Sequence, residues 1–372
     1  MNSSSFIDGD YRIGRMGSPR HSRRPSITGR FTAEELALAA RNRGMPLEAL
    51  RHDVTPPGLH YLLVHFDIPE ADESTWTLSV GGLVSKPRSL SLGELRALPE
   101  RTLRVTMECA GNGRGQLSPR YPSVPWLEEG VSTADWTGVP LRELLDLRAD
   151  ATEVVFHGAD RGIDAGVEHH FARSLSAAQA LESEVLVAYA MNGAPLPPQH
   201  GAPLRLVVPR WYGMASVKWL RAIEARDQPF DGVQQARSYH FRRVPGEKGE
   251  PCTLMRVNSL MAPPGIPDFY TRRRFVDAGP VEIVGRAWSG AAPVERVEFG
   301  RDGEWHRAAV APERHAHGWT LWRFAWQAAP GEHVLACRAT DAAGNMQPLE
   351  PPWDLSGFGN NGVQRIQVTV RA

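Results

Sequence analysis

The sequence predicts an α+β chain of two domains, a mixed α/β part followed by an all-β part. Three observations carry this. Up to about residue 240, short strand-like runs are separated by capped helix starts, without the regular alternation of a βαβ repeat. Between 243 and 268 the composition shifts to RVPGEKGEP and APPGIPD, a proline- and glycine-rich connection. From 278 onward apolar runs recur every 10–20 residues with Gly, Asp and Pro between them, the pattern of an immunoglobulin-like β-sandwich. The expected divisions are a disordered arm at 1–30, one domain at 31–250 and a second at 251–372.

Taken in order, Thr32 and Glu35 have the spacing of a capping box and open a helix over LALAA. HYLLVHFDIP (60–69) and WTLSVGGLV (76–84) read as extended, with a turn at Gly81-Gly82. Ser91 and Glu94 repeat the cap before helically spaced leucines. Residues 103–107 (LRVTM) form a buried strand leading into Cys109 and the small-residue loop AGNGRG. LRELLDL, after Pro140, reads as a short helix with an apolar face. Strands follow at 152–157, broken by Gly158, then at 185–191 before the tight turn Asn192-Gly193, and at 204–209. In the sandwich, Cys337 alternates with apolar neighbours and reads as core.

Equal numbers of basic and acidic residues, 42 each, argue against a general attraction to nucleic acid or anionic membrane. No apolar run approaches the ~18 residues that cross a bilayer, so membrane insertion is not expected. The three cysteines are odd in number, far apart and free of CxxC pairs, against a disulfide framework or a structural zinc site. Arg23-Arg24 is followed by no apolar segment, because Glu34 and Glu35 interrupt it. The expected location is the cytoplasm, with the periplasm as the alternative.

Cys109, at a strand end beside a loop that lets a ligand approach the backbone, is the candidate reactive group. Three roles are open to it. As a nucleophile it needs a base, and His157, His169, His170 or His200 would have to supply it. As a soft-metal ligand it would be a thiolate. As core filler it needs nothing. Arg104, Arg114 and the loop amides are expected to lower its pKa and favour the two active roles.

MECAGNGR (107–114) resembles the molybdenum-ligand loop of the sulfite oxidase family of molybdopterin-dependent oxidoreductases. WTGVPL (136–141), YAMNGAPLPPQHGAPLRLVVP (189–209), WYGMASVKWL (211–220) and GRAWSG (285–290) resemble further blocks of that family in the same order. The resemblance covers roughly residues 50–372, without a counterpart of the haem domain some relatives carry. It implies a sulfite-oxidase-like molybdopterin-binding domain followed by a dimerisation domain, and hence a homodimer. Cys109 would be the protein ligand to molybdenum. His65, Asp160, His200, Arg205 and Lys218 match cofactor-binding positions, with Tyr61, Val64, Ser216 and Val217 lining the same groove. Arg114, Trp126 and Tyr239 fall at positions of the substrate pocket.

The implied activity is oxygen-atom transfer at a small sulfur-centred substrate, with electrons leaving to an external acceptor such as a cytochrome. Two departures bear on the substrate. Leu63 stands where sulfite-oxidising members place an arginine two residues before the histidine, and Ser356 stands where another follows the WDL block. Arg120, Arg161 or Arg210 would have to replace them. A reductase of sulfoxides using the same site is the alternative activity, and a non-catalytic binding protein the alternative of another class.

Overall fold

The computed structural model describes residues 31–372 apart from 165 and 314, so the arm expected at 1–30 lies outside the described residues. Helix α1 (Ala33–Arg41) begins as expected. Thr32 Oγ1 accepts from the amide of Glu35, whose carboxylate accepts from the amide of Thr32. The same reciprocal cap at Ser91 and Glu94 opens α2 (Leu92–Arg96). Each cap satisfies two amides that the first helical turn leaves without partners.

Two sheets build the first domain. Strands β1 (Thr77–Gly82) and β2 (Arg88–Ser91) pair at one edge of the first sheet. Strands β3 (Arg101–Glu108) and β4 (Val131–Pro140) pair in the second, with Val105 opposite Ala134 and Glu108 opposite Val131. The first sheet continues through β5 (Glu153–Asp164) and β6 (Val167–Ser176). The second continues through β7 (Leu186–Met191), β8 (Ala194–Pro195) and β9 (Arg205–Val207). Strand β10 (Leu220–Arg226) lies between β1 and β5, parallel to β1 and antiparallel to β5, giving the order β2-β1-β10-β5-β6. Trp136, Phe156, Leu206 and Trp219 are buried in the core of this domain. One parallel pair among antiparallel ones makes the sheet mixed, in keeping with the α+β class.

Four local expectations change. Gly81 and Gly82 do not form a turn but end β1, paired with Glu224 and Ala225 of β10. Residues 60–69 form no strand: Leu62 bridges Arg43, while the amides of Tyr61 and Val64 are taken by Ser132 Oγ and Asn42 Oδ1. With side chains satisfying the backbone, the segment is free to follow a cleft instead of a sheet edge. The segment after Pro140 is a single 3-10 turn, Leu141–Glu143, in place of a helix. The strand at 152–157 does not break at Gly158 but runs on to Asp164 through a register shift between His157 and Arg161. Such a bulge re-aims the side chains that follow it, Asp160 among them.

The second domain is a sandwich of a four-stranded and a six-stranded sheet. Gly279–Trp288 pairs with Thr320–Ala328 in one, and Val294–Arg301 with Gly331–Asp341 in the other. Between them Phe299, Trp322, Leu335 and Cys337 are fully buried, and Cys337 is core as expected. Trp288 and Phe358 instead pack into the core of the first domain. No helix among the described residues is long and apolar enough to cross a membrane.

Candidate functional site

Strand β3 ends in Glu108, and the chain then turns through a loop whose compactness depends on glycine. Gly113 takes a φ of +80°. Gly115 donates its amide to the carbonyl of Trp126, so close that a Cβ there would lie 2.9 Å from that oxygen. The amide of Cys109 donates to Gly130 O and its carbonyl accepts from the amide of Asn112. The residue so held is 7 % exposed and lines a narrow cleft.

That cleft gathers elements distant in sequence. His60, Tyr61, Leu62, Leu63 and His65 form one wall, Asp160 and Phe171 come from β5 and β6, and His200, Arg205, Ser216 and Lys218 close the far side. Buried Arg205 donates to the carbonyls of His200 (3.0 Å) and Ser216 (3.1 Å) and lies 4.5 Å from the Trp136 ring. Lys218 Nζ donates to Leu63 O (2.8 Å) and Gln199 O (3.1 Å). Gly213 must be small, because a Cβ there would meet the Tyr61 hydroxyl at 2.4 Å.

The charges are unusual. Neither Arg205 nor Lys218 has a carboxylate within ion-pair distance among the described residues, their partners being neutral carbonyls. Burial lowers Arg205 to about 10, and burial with repulsion from Arg205 lowers Lys218 to about 7. Burial raises Asp160 to about 6, partly offset by Lys218. Burial also keeps His60 and His200 neutral, their pKa values far below the ordinary imidazole range. His60 Nε2 and Asp160 Oδ1 are buried without a hydrogen-bond partner among the described residues. Two cations without an ion-pair partner and two polar atoms without a hydrogen-bond partner among the described residues, in one cleft with Asp160, fit a polar ligand with an anionic tail.

Other expected residues fall on the far side of the thiol or off the cleft. Trp126 meets the Tyr61 ring edge-on at 6.3 Å, and its indole N–H faces the Cys109 thiol. Arg114 is buried beneath the loop, donating Nε to Ser356 O (2.9 Å) and Nη1 to Val124 O (3.4 Å) and lying 5.2 Å from the Phe358 ring. Its Nη2 makes no hydrogen bond among the described residues. Tyr239 reaches the cleft from the first domain's last segment, with a φ of +51°, and stacks on Phe358. Val64 and Val217 do not line the cleft. Their side chains point into the core, and the backbone of Val217 is committed to Ala215 O and the amide of Leu206.

The thiol pKa is raised, against expectation, because burial outweighs Arg114, while Arg104 is committed to Asp135 at 2.8 Å. Arg120, Arg161 and Arg210 do not replace the missing arginines, being paired with Glu35, Glu168 and Glu182. Sequence reasoning missed His60 as a lining residue, although it sits beside Tyr61, and missed Phe171 and Arg173. Arg173 is a buried guanidinium 5.6 Å from the Tyr239 ring, with Nε unpaired. Nothing local in its strand signals that position.

A pterin-cofactor oxidoreductase is the class that this two-domain fold and donor set define. The chain matches the Oxidoreductase molybdopterin binding domain over residues 65–234 and the Mo-co oxidoreductase dimerisation domain over 252–371. It is 32% identical to the mitochondrial sulfite oxidase of Homo sapiens across 88% of this chain and 64% of that one. It is 32% identical to the sulfite oxidase of Gallus gallus across 82% and 70%. A nitrate reductase [NADH] of Phaseolus vulgaris is 29% identical over 88% of this chain, which spans only 41% of that enzyme. Among solved structures, the sulfane dehydrogenase SoxCD from Paracoccus pantotrophus aligns over 88% of this chain and 86% of its own, with a TM-score of 0.76 and 25% identity. The chain belongs to the sulfite oxidase family of molybdopterin-dependent oxidoreductases. A molybdenum–pterin cofactor comes with that membership, and the non-catalytic alternative falls with it.

Proposed function

We propose that the chain oxidises a small sulfur-centred substrate by two electrons, taking the oxygen atom from water and releasing two protons. The carrying observation is that one cleft holds the Cys109 thiol together with buried Arg205 and half-buried Lys218, neither of which has a carboxylate within ion-pair distance among the described residues. Cys109 is the metal ligand in this reading. Arg205 and Lys218 hold the anionic tail of the pterin, and Asp160, His60 and His200 offer acceptors to its ring edges. Bound there, the molybdenum supplies oxygen-atom transfer and receives the two electrons. Arg114 Nη2 is the donor left to orient a substrate oxygen or anion, with the Trp126 indole beside the thiol and the Tyr239 hydroxyl available when His65 Nε2 supplies the hydrogen of their bond. Electrons pass to an external acceptor such as a cytochrome, and the dimerisation domain pairs two chains.

The test is molybdenum content together with turnover. Expression in a cofactor-competent host should give equimolar molybdenum that disappears in Cys109→Ser. Sulfite- or sulfane-dependent reduction of a dye should follow the metal. Absence of molybdenum from wild type would overturn the reading.

One observation favours a second use of the same site. Leu62, Leu63, Met107 and Phe171 add an apolar wall to the cleft beside Lys218 and Arg205. A sulfoxide reductase fits that wall, and sulfoxide-dependent oxidation of a reduced dye, without sulfite turnover, would select it.

A further inference from the structure

Glu108, the residue before the candidate metal ligand, is 2 % exposed, and its carboxylate is the meeting point of both domains. Oε1 accepts from Asn112 Nδ2 of the cysteine loop (3.1 Å) and from Asn258 Nδ2 of the sandwich (3.1 Å). Oε2 accepts from the indole N–H of Trp288, also in the sandwich (2.9 Å). All three donors have fixed orientations. Asn112 Oδ1 is occupied by the amide of Gly130, and Asn258 Oδ1 by Ser259 N and Gln347 Nε2. An indole has no acceptor to offer in exchange. Only a group that accepts on both sides satisfies such a site, so a glutamine would set its own NH₂ against a donor whichever way it turned.

The same contacts run on to the thiol. The carbonyl of Cys109 accepts from Asn112 N, and its amide donates to Gly130 O, whose own amide is held by Asn112 Oδ1. Both backbone groups of Cys109 are therefore bonded to residues that Glu108 anchors through Asn112. On the other side, Asn258 continues through Gln347 to Ala339 N in the middle of the sandwich.

We infer that Glu108 is a positioning residue through which the docked sandwich, by Asn258 and Trp288, fixes the aim of the Cys109 thiol. The inference rests on the reading of Cys109 as metal ligand, but the geometry it concerns exists in the chain alone.

The experiment is the rate of iodoacetamide alkylation of Cys109 in cofactor-free full-length protein, with Cys109→Ser giving the background from Cys252 and Cys337. Glu108→Gln should react roughly tenfold faster than wild type. Asn258→Ser, altered only in the second domain, should also accelerate the reaction, and adding it to Glu108→Gln should bring little more. Val297→Ala, a sandwich-core change away from the network, provides a control of comparable destabilisation. The inference is overturned if Glu108→Gln alkylates at the wild-type rate, or if Val297→Ala accelerates alkylation as much. Molybdenum content of Cys109→Ser separately decides the metal-ligand reading, so failure of one leaves the other intact.

Discussion

The hydroxyl of Tyr239 meets Nε2 of His65 at 2.6 Å, joining two residues 174 positions apart across the mouth of the cleft. His65 leans on Phe171 at 4.7 Å while Tyr239 stacks on Phe358, so each ring is braced from behind. The phenol is pushed above its ordinary range by burial and by the nearby cysteine, so it remains protonated as a donor.

Tyr239→Phe keeps the ring on Phe358 and removes only the hydroxyl. A lost donor of this kind costs on the order of a hundredfold in kcat. Steady-state kinetics should show that loss with thermal stability nearly unchanged. An unaltered kcat would remove Tyr239 from the substrate pocket.

Lys218 makes stability depend on pH. Its ammonium titrates at about 7 in the folded chain, against ~10.4 when unfolded. Between those values the unfolded chain binds a proton that the folded chain lacks, so stability rises with pH and is level below the lower value. Melting of the cofactor-free protein should shift upward between pH ~7 and ~9.5, and Lys218→Met should flatten that slope. An equal slope in the variant would mean that another group titrates there.

Gly111 offers a way to move Arg114 without touching it. A Cβ at Gly111 would lie 2.4 Å from Arg114 Nη2, the donor left free for substrate. Gly111→Ala should raise KM for an anionic substrate by roughly 10- to 150-fold while molybdenum content holds, since one charge-assisted bond contributes ~1.5–3 kcal/mol. Unchanged KM would show that Arg114 does not reach the substrate.

Features closed within a few residues were readable in the sequence. The Thr32–Glu35 and Ser91–Glu94 caps need only three positions, and both formed as expected. Strand β3 and its glycine loop were equally local, and the ordered blocks held the cleft residues Cys109, His200, Arg205, Ser216 and Lys218. What escaped was decided at long range. Residues 60–69 look extended but spend their backbone on Asn42, Ser132 and Lys218. The arginines near Cys109 suggested an acidic thiol, whereas the surrounding fold supplies burial that wins. Glu108 finds its sandwich partners 150 and 180 positions away, with no local trace.

The stretch after the last proline pair has a consequence for how such a chain can change over evolutionary time. Gly359 donates its amide to Ala110 O, Asn360 donates to Asn112 O, and Ser356 O holds Arg114. The far end of the second domain thus furnishes part of the seat for the first domain's reactive loop. An exchange of either half at the proline-rich connection would separate the cysteine loop from these three contacts.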